Sequence, residues 1–341
     1  MYQIEKEDIS AIIKTLEITN VLGKTFFITG STGSLARYCV MALMKLAEEN
    51  RDKPCRVIAQ CRNLEKAQNI WADYLDDPNF IILKGNVEDE VEFEGDVDYI
   101  LHAACVSATS FFYTNPVEIA SANAIGTYKL LQFAMAKKVK GFLFFSSGAV
   151  YGGPTKDNVT YNGLEPLDYR NCYNMSKRLG ENLCADFAQE YNVPAKIIRI
   201  GYTYGPYIDL EDGHLYSDFV KAIINNRNLM IKGDGQGYIG MTYITDAVTA
   251  FFKVLFEGEI STPYVVHNDD EQMTVEELAI FLTQNVFPER KLSYTCAKKR
   301  AIEGQGKVLK YTSFLKELGW SPQINTAEGF RRTVRYFEER R

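Results

Sequence analysis

The chain has 341 residues, 46% hydrophobic and 24% charged, with 38 Lys and Arg against 44 Asp and Glu, a net charge of −6. This is the balance of a folded globular protein and argues against a disordered chain. A mildly acidic sequence without a basic block argues against nucleic acid or an anionic membrane as the main partner, and no apolar run approaches the ~18 residues of a membrane helix.

The opening, Met1-Tyr2-Gln3-Ile4-Glu5-Lys6-Glu7, is charged and lacks the apolar core of a secretion signal. The seven cysteines (39, 55, 61, 105, 172, 184 and 296) form no C-x-x-C pair, and the three histidines (102, 214 and 267) are far apart. Reduced thiols, a cytoplasmic location and no metal site are therefore expected. Residues 1–22 read as a helical lead-in of mixed polarity. Short apolar runs suited to buried strands follow at 25–29, 56–60, 80–83, 99–102, 141–145 and 195–199. Helical spacing separates them, over Leu35 to Leu46, from Leu64 onward, and over 117–137 and 174–191. Such alternation predicts parallel pairing with right-handed crossovers, an open α/β sheet of the doubly wound Rossmann type. Residues 23–200 are expected to form that domain. Residues 201–341 are expected to form a smaller substrate-binding lobe, with about 240–268 returning to the sheet. Ligands of these sheets sit at the carboxyl ends of the strands.

Two motifs stand at such ends. Gly30-Ser31-Thr32-Gly33-Ser34-Leu35-Ala36 links the first strand to a helix. Glycine at 30 permits a tight turn, Gly33 lets a pyrophosphate approach the helix's N–H groups, and Ala36 is small enough for close helix–strand packing. Gly30, Thr32, Gly33, Ser34 and Leu35 are thus candidates for dinucleotide binding. The second strand ends Gln60-Cys61-Arg62-Asn63, without the carboxylate that would take the ribose hydroxyls of NAD. Arg62 suits a 2′-phosphate, so the sequence leans toward NADP over NAD.

The second motif, Tyr173-Asn174-Met175-Ser176-Lys177, puts a phenol and an ammonium one helical turn apart. A lysine charge stabilises a phenolate and is expected to lower the tyrosine's pKa from its usual ~10. Ser147, at the tip of the strand that includes Phe144-Phe145-Ser146, is placed to bind a substrate oxygen and share its proton with Tyr173. His102, Cys105 and Cys172 are expected to be structural, His102 through a backbone hydrogen bond. The segment Phe111-Phe112-Tyr113 suits either a pocket roof or plain core. Arg331 to Arg341 reads as the solvated face of a last helix.

Together with Gly85-Asn86-Val87-Glu88, His102-Ala103-Ala104, Asn115-Pro116, Asn123-Ala124-Ile125-Gly126-Thr127, Tyr204-Gly205-Pro206 and Leu318-Gly319-Trp320, these motifs are decisive. Over roughly residues 23–338 the chain resembles the extended short-chain dehydrogenases/reductases, the NAD(P)-dependent nucleotide-sugar epimerase/dehydratase family. The resemblance implies that Tyr173 is the acid–base, Lys177 holds the nicotinamide ribose, and Ser147 binds the reacting sugar oxygen. It further implies that Asn86 and Val87 flank the adenine, Ala103 lines the cofactor path, and Asn123 is structural or part of a proton relay. The implied reaction is C4 epimerisation of a nucleotide sugar through a 4-keto intermediate. The alternatives are NADPH-dependent reduction of a 4-keto sugar and a non-catalytic, dinucleotide-binding sensor or assembly protein. The resemblance also implies a homodimer paired through helices 117–137 and 174–191. The chain departs from the family in three places. Gly148-Ala149 replaces the Asp-Glu that dehydratases use, Tyr202 replaces a phosphate-binding Asn, and Ile239 replaces a phosphate-binding Arg. Either Lys232 or Arg300 substitutes for them, or the substrate is not a standard nucleotide sugar.

Overall fold

The six apolar runs form strands: β1 (Thr25–Thr29), β2 (Arg56–Cys61), β3 (Phe80–Lys84), β4 (Tyr99–His102), β5 (Gly141–Ser147) and β6 (Ala195–Ile200). The lead-in contributes α1 (Gln3–Thr15) and α2 (Ile18–Val21). Between the strands run α3 (Ser34–Glu49), α4 (Leu64–Ile70), the short α5 (Phe111–Thr114), α6 (Pro116–Lys137) and α7 (Cys172–Tyr191). The computed structural model describes residues 2–105, 111–152, 164–297 and 313–341.

Beyond residue 200 the elements shorten. They are β7 (Tyr202–Tyr204), α8 (Leu215–Ile224), β8 (Leu229–Ile231), β9 (Tyr238–Ile239), β10 (Met241–Tyr243) and α9 (Ile244–Glu257). After these come β11 (Pro263–Val266), β12 (Met273–Thr274), α10 (Val275–Phe281), β13 (Tyr294–Cys296), α11 (Ser313–Glu317) and α12 (Thr326–Glu338). One parallel sheet runs in the order β11-β6-β5-β4-β1-β2-β3. The chain winds outward from β1 in one direction and from β4 in the other. The crevice between β1 and β4 is therefore the switch point at which ligands of such sheets bind.

Alternation along each strand divides the core. Phe26 and Ile28 face a cluster built with α3 and α9, whereas Phe27 points into another with Leu130 and Phe133 of α6 and Phe187 of α7. Strands apolar on both faces are what a sheet covered by helices on both sides requires.

The lead-in is tied into both halves. Asp8 of α1 is fully buried and accepts hydrogen bonds from Tyr38 of α3 (2.9 Å), Tyr243 of β10 (2.8 Å) and Arg332 of α12 (2.9 Å). Burial pushes its carboxyl up to about 6 despite these donors. Nearby, Asp246 of α9 accepts the backbone N–H groups of Gln323 (3.0 Å) and Ile324 (2.9 Å), and burial also raises it to about 6. The last helix keeps the expected solvated face at Arg331, Arg335 and Glu338 to Arg341, but its other face is buried. Arg332 reaches the buried Asp8, and Phe330, Val334 and Tyr336 are core residues.

Candidate active site

The turn after β1 depends on glycine. Gly30 has φ +63°, and a Cβ there would lie 2.7 Å from Ala104 Cα. The N–H of Gly33 closes the turn on the Gly30 carbonyl (2.9 Å), and Gly33 then caps the sixteen-residue α3 with no side-chain hydrogen bond. The first N–H groups of α3, at Ser34 and Leu35, therefore point toward the turn as a ready anion site. Thr32 lies half-buried in the same turn, Ala36 is buried against the sheet, and Ala103 follows β4 beside it.

Next to the turn, one chain of hydrogen bonds fixes the strand ends. Ala104 N–H donates to Thr29 Oγ1 (2.9 Å), which lies 2.9 Å from His102 Nδ1. His102 Nε2 lies 3.1 Å from Thr127 Oγ1, which donates to the Asn123 carbonyl (2.5 Å). Since each hydroxyl has a single proton, the directions follow. Thr29 donates to Nδ1, and the imidazole carries its proton on Nε2. Complete burial lowers the His102 pKa to about 3, with Lys177 adding to the effect. His102 is thus a neutral structural bridge, as expected, but it works through side-chain hydroxyls and not through a backbone bond.

Beyond that bridge lie the three residues expected to be catalytic. The Tyr173 phenol lies beside Ser147 and Cys105, and its ring stacks on Phe112 at 4.8 Å and 13°. Lys177 is buried. Its ammonium donates to the Phe145 carbonyl (2.7 Å) and stands 6.0 Å from the centroid of the Tyr173 ring. Burial and Cys105 push the phenol well above its ordinary pKa. This corrects the expectation that Lys177 lowers it, because burial outweighs the charge of an ammonium 6.0 Å from the ring centroid. Asn123 donates from Nδ2 to Ser176 Oγ (3.0 Å), leaving its own buried Oδ1 without a hydrogen-bond partner.

The sequence reading missed two neighbours of the phenol. Cys105, expected only to pack, acts on the phenol directly, and Tyr216 of α8 also lies close by. The position of Cys105, three residues past the strand-end His102, was the available signal. Of the three aromatics 111–113, Phe112 roofs the phenol while Phe111 and Tyr113 are exposed.

At the far end of the crevice, Asn86 Nδ2 donates to Glu88 (2.7 Å), while Val87 packs on Gly126 of α6. Gln60 is buried with Oε1 unpaired. Arg62 follows β2 and pairs with Glu118 of α6 at 3.0 Å. Among the described residues no group of three or more His, Cys, Asp and Glu could hold a metal ion, and no helix is long and apolar enough to cross a membrane.

The profile of the NAD dependent epimerase/dehydratase family matches residues 26–266. The chain belongs to that family. It is similar to UDP-glucuronic acid decarboxylase 4 of Arabidopsis thaliana, 30% identical over 272 residues, which are 78% of this chain and 59% of that protein. The dTDP-glucose 4,6-dehydratase of Streptomyces venezuelae, solved with NAD bound, superposes with a TM-score of 0.74 at 25% identity, covering 92% of this chain and 97% of that one. The UDP-glucose 4-epimerase of Thermotoga maritima, solved with UDP-glucose, gives 0.74 at 22% identity, covering 93% and 99%. In this member of the epimerase/dehydratase family, Gly148 and Ala149 open a single 3₁₀ turn whose first N–H donors include Ala149 N–H to Ser147 Oγ (3.2 Å). Tyr202 is 44% exposed at β7, whereas Ile239 is buried and paired with Met273. Lys232 is engaged by Asp218 at 2.6 Å, and Arg300 lies outside the described residues.

Proposed function

We propose that this protein is an NAD(P)-dependent enzyme that epimerises a nucleotide sugar at C4. The observation that carries the reading is the closeness of the Tyr173 phenol to Ser147 at the tip of β5, one helical turn from Lys177 and across the switch point from the Gly30–Leu35 turn. The residues present fit a dinucleotide. The turn has room only for glycine at 30, α3 offers uncapped N–H groups, and Gln60 Oε1 and Asn123 Oδ1 are buried acceptors with no partner. Gly30, Thr32, Gly33, Ser34 and Leu35 would hold the pyrophosphate, Asn86 and Val87 the adenine side, Ala103 the path between, and Lys177 the nicotinamide ribose.

When bound, the dinucleotide supplies a hydride acceptor and, oxidised, a positive charge. Tyr173 removes the proton of the sugar's O4 hydroxyl and later returns it, with Ser147 as the relay that orients the oxygen. Because burial holds the phenol's pKa high, ionising it requires cationic charge near the ring. Lys177 stands ready on that side. Phe112 shields the phenol from water. Gly148 and Ala149 place no carboxylate beside the sugar, so an elimination lacks its acid and base. Epimerisation needs only the groups present.

The test follows the product and the 340 nm absorbance together on UDP-sugar and dTDP-sugar substrates. A C4 epimer formed without net change in reduced cofactor supports the reading. Net consumption of NADPH on a 4-keto sugar assigns a reductase, and loss of the C6 carboxyl assigns a decarboxylase. Binding of the dinucleotide without any turnover leaves a sensor or assembly protein.

We further propose that two copies pair through α6 and α7. Val117, Ile125, Tyr128 and Met135 on α6 and Leu179 and Tyr191 on α7 are exposed, an apolar face that a second copy would cover. Light scattering that gives a monomer mass removes this proposal.

A further inference from the structure

We infer that Glu118 makes the adenosine end of the crevice selective for NAD over NADP, supplying from α6 the carboxylate that the end of β2 lacks. The inference rests on the proposed dinucleotide site and reverses the lean toward NADP drawn from Arg62 alone.

In a doubly wound sheet the residue just past β2 faces the adenosine ribose. Here that residue is Arg62, and its guanidinium is held by the Glu118 carboxylate at 3.0 Å. The pairing brings an acid to the position that governs the 2′ substituent although the strand itself carries a base. Asn63 cannot redirect this end, because its side chain accepts the Lys66 N–H (2.9 Å) as the cap of α4. A second carboxylate lies one turn along the same face of α6. Glu88 accepts from Ser121, three residues beyond Glu118, and from Asn86 Nδ2.

A 2′-phosphate brings about two negative charges. To reach Arg62 it would have to displace Glu118 and remain beside that carboxylate and Glu88, a like-charge arrangement that disfavours binding. A free 2′-hydroxyl meets the opposite situation. It donates to a carboxylate that Arg62 has already oriented, in a charge-assisted hydrogen bond. Both Arg62 and Glu118 remain accessible, with 62% and 42% of their side-chain surface exposed, so a ribose can approach them from solvent.

Isothermal titration of the full chain, stripped of bound dinucleotide, with NAD+ and NADP+ tests this without any turnover. The wild type is expected to bind NAD+ tighter by about tenfold or more, the discrimination one good charge-assisted contact provides. Glu118→Gln keeps the shape, and it is expected to bring the two affinities within about threefold, mainly by improving NADP+. Adding Arg62→Gln to Glu118→Gln should remove that improvement, because the freed guanidinium is its source. A wild type that prefers NADP+, or a ratio unchanged by Glu118→Gln, overturns the inference while leaving the dinucleotide site intact. Failure of both dinucleotides to bind overturns the dinucleotide site itself, and the inference with it.

Discussion

Two buried polar clusters lie on either side of α3, and they are wired differently. At the strand ends, hydrogen bonds run in single file from Ala104 through Thr29, His102 and Thr127 to Asn123, whose own buried Oδ1 has no partner among the described residues. Around α1, the bonds converge instead on one carboxylate, with Tyr38, Tyr243 and Arg332 all donating to Asp8. The first arrangement leaves hydrogen-bonding capacity for a ligand, whereas the second consumes it in joining four elements. A buried polar group is therefore a sign of function only when its cluster is left incomplete.

If that contrast holds, substitutions in the two clusters separate into effects on chemistry and on stability. The largest expected effect is in the crevice. Tyr173→Phe should lower kcat by about 10³-fold, the scale of a lost acid–base group, with little change in melting temperature. A stability loss comparable to the activity loss would break the contrast. Asp8→Ala should do the reverse. It leaves two tyrosine hydroxyls unpartnered and Arg332 with Glu328 alone, and should cost about 3 kcal/mol in denaturant unfolding, while the dinucleotide affinity of the remaining folded protein stays unchanged. Gly30→Ala combines the two effects, since φ +63° and a Cβ 2.7 Å from Ala104 strain the backbone. About 2 kcal/mol of stability and most dinucleotide binding should be lost together.

The smallest effect sharpens the comparison through pH. Asp8 and Asp246 keep their protons up to about pH 6 in the fold, against 3.8 as the ordinary value. Their contribution to stability is therefore present at low pH and is lost as pH rises through 6. His102 stays neutral down to about 3, against an ordinary 6.5, so its contribution is present above 6.5 and is lost as pH falls. Between pH 7 and 5 the aspartates gain about 1 kcal/mol each and His102 loses about 2, leaving the wild type nearly level in these groups. Asp8→Asn should remove one gain, so that stability falls by about 1 kcal/mol more between those pH values than in the wild type. Urea unfolding at the two pH values is the measurement, and an unchanged pH slope would refute the role given to Asp8.

The sheet was legible because its information is local. Apolar runs of four or five residues such as 25–29 and 99–102 lie at β1 and β4 with their proposed bounds, and the Gly30 turn and the Tyr173–Lys177 spacing can be read within a single helix or turn. What escaped depends on distance along the chain. Nothing near Arg62 announces a carboxylate 56 residues away, and nothing in Gln3–Thr15 reveals that Asp8 is buried. Lys177 was misjudged for a related reason. Its spacing from Tyr173 is local, but the Phe145 carbonyl that accepts its hydrogen bond belongs to β5.

The bond from Asp8 to Arg332 spans 324 residues of sequence. While a ribosome is extending the chain, the first helix must wait for nearly the last one before its buried acid is neutralised. The sheet can assemble as it emerges, but the brace that locks it cannot close until residue 332 has cleared the exit tunnel. Nascent intermediates should therefore carry α1 loosely docked, which makes this segment the natural handle for chaperones and the first target for proteases when translation stalls.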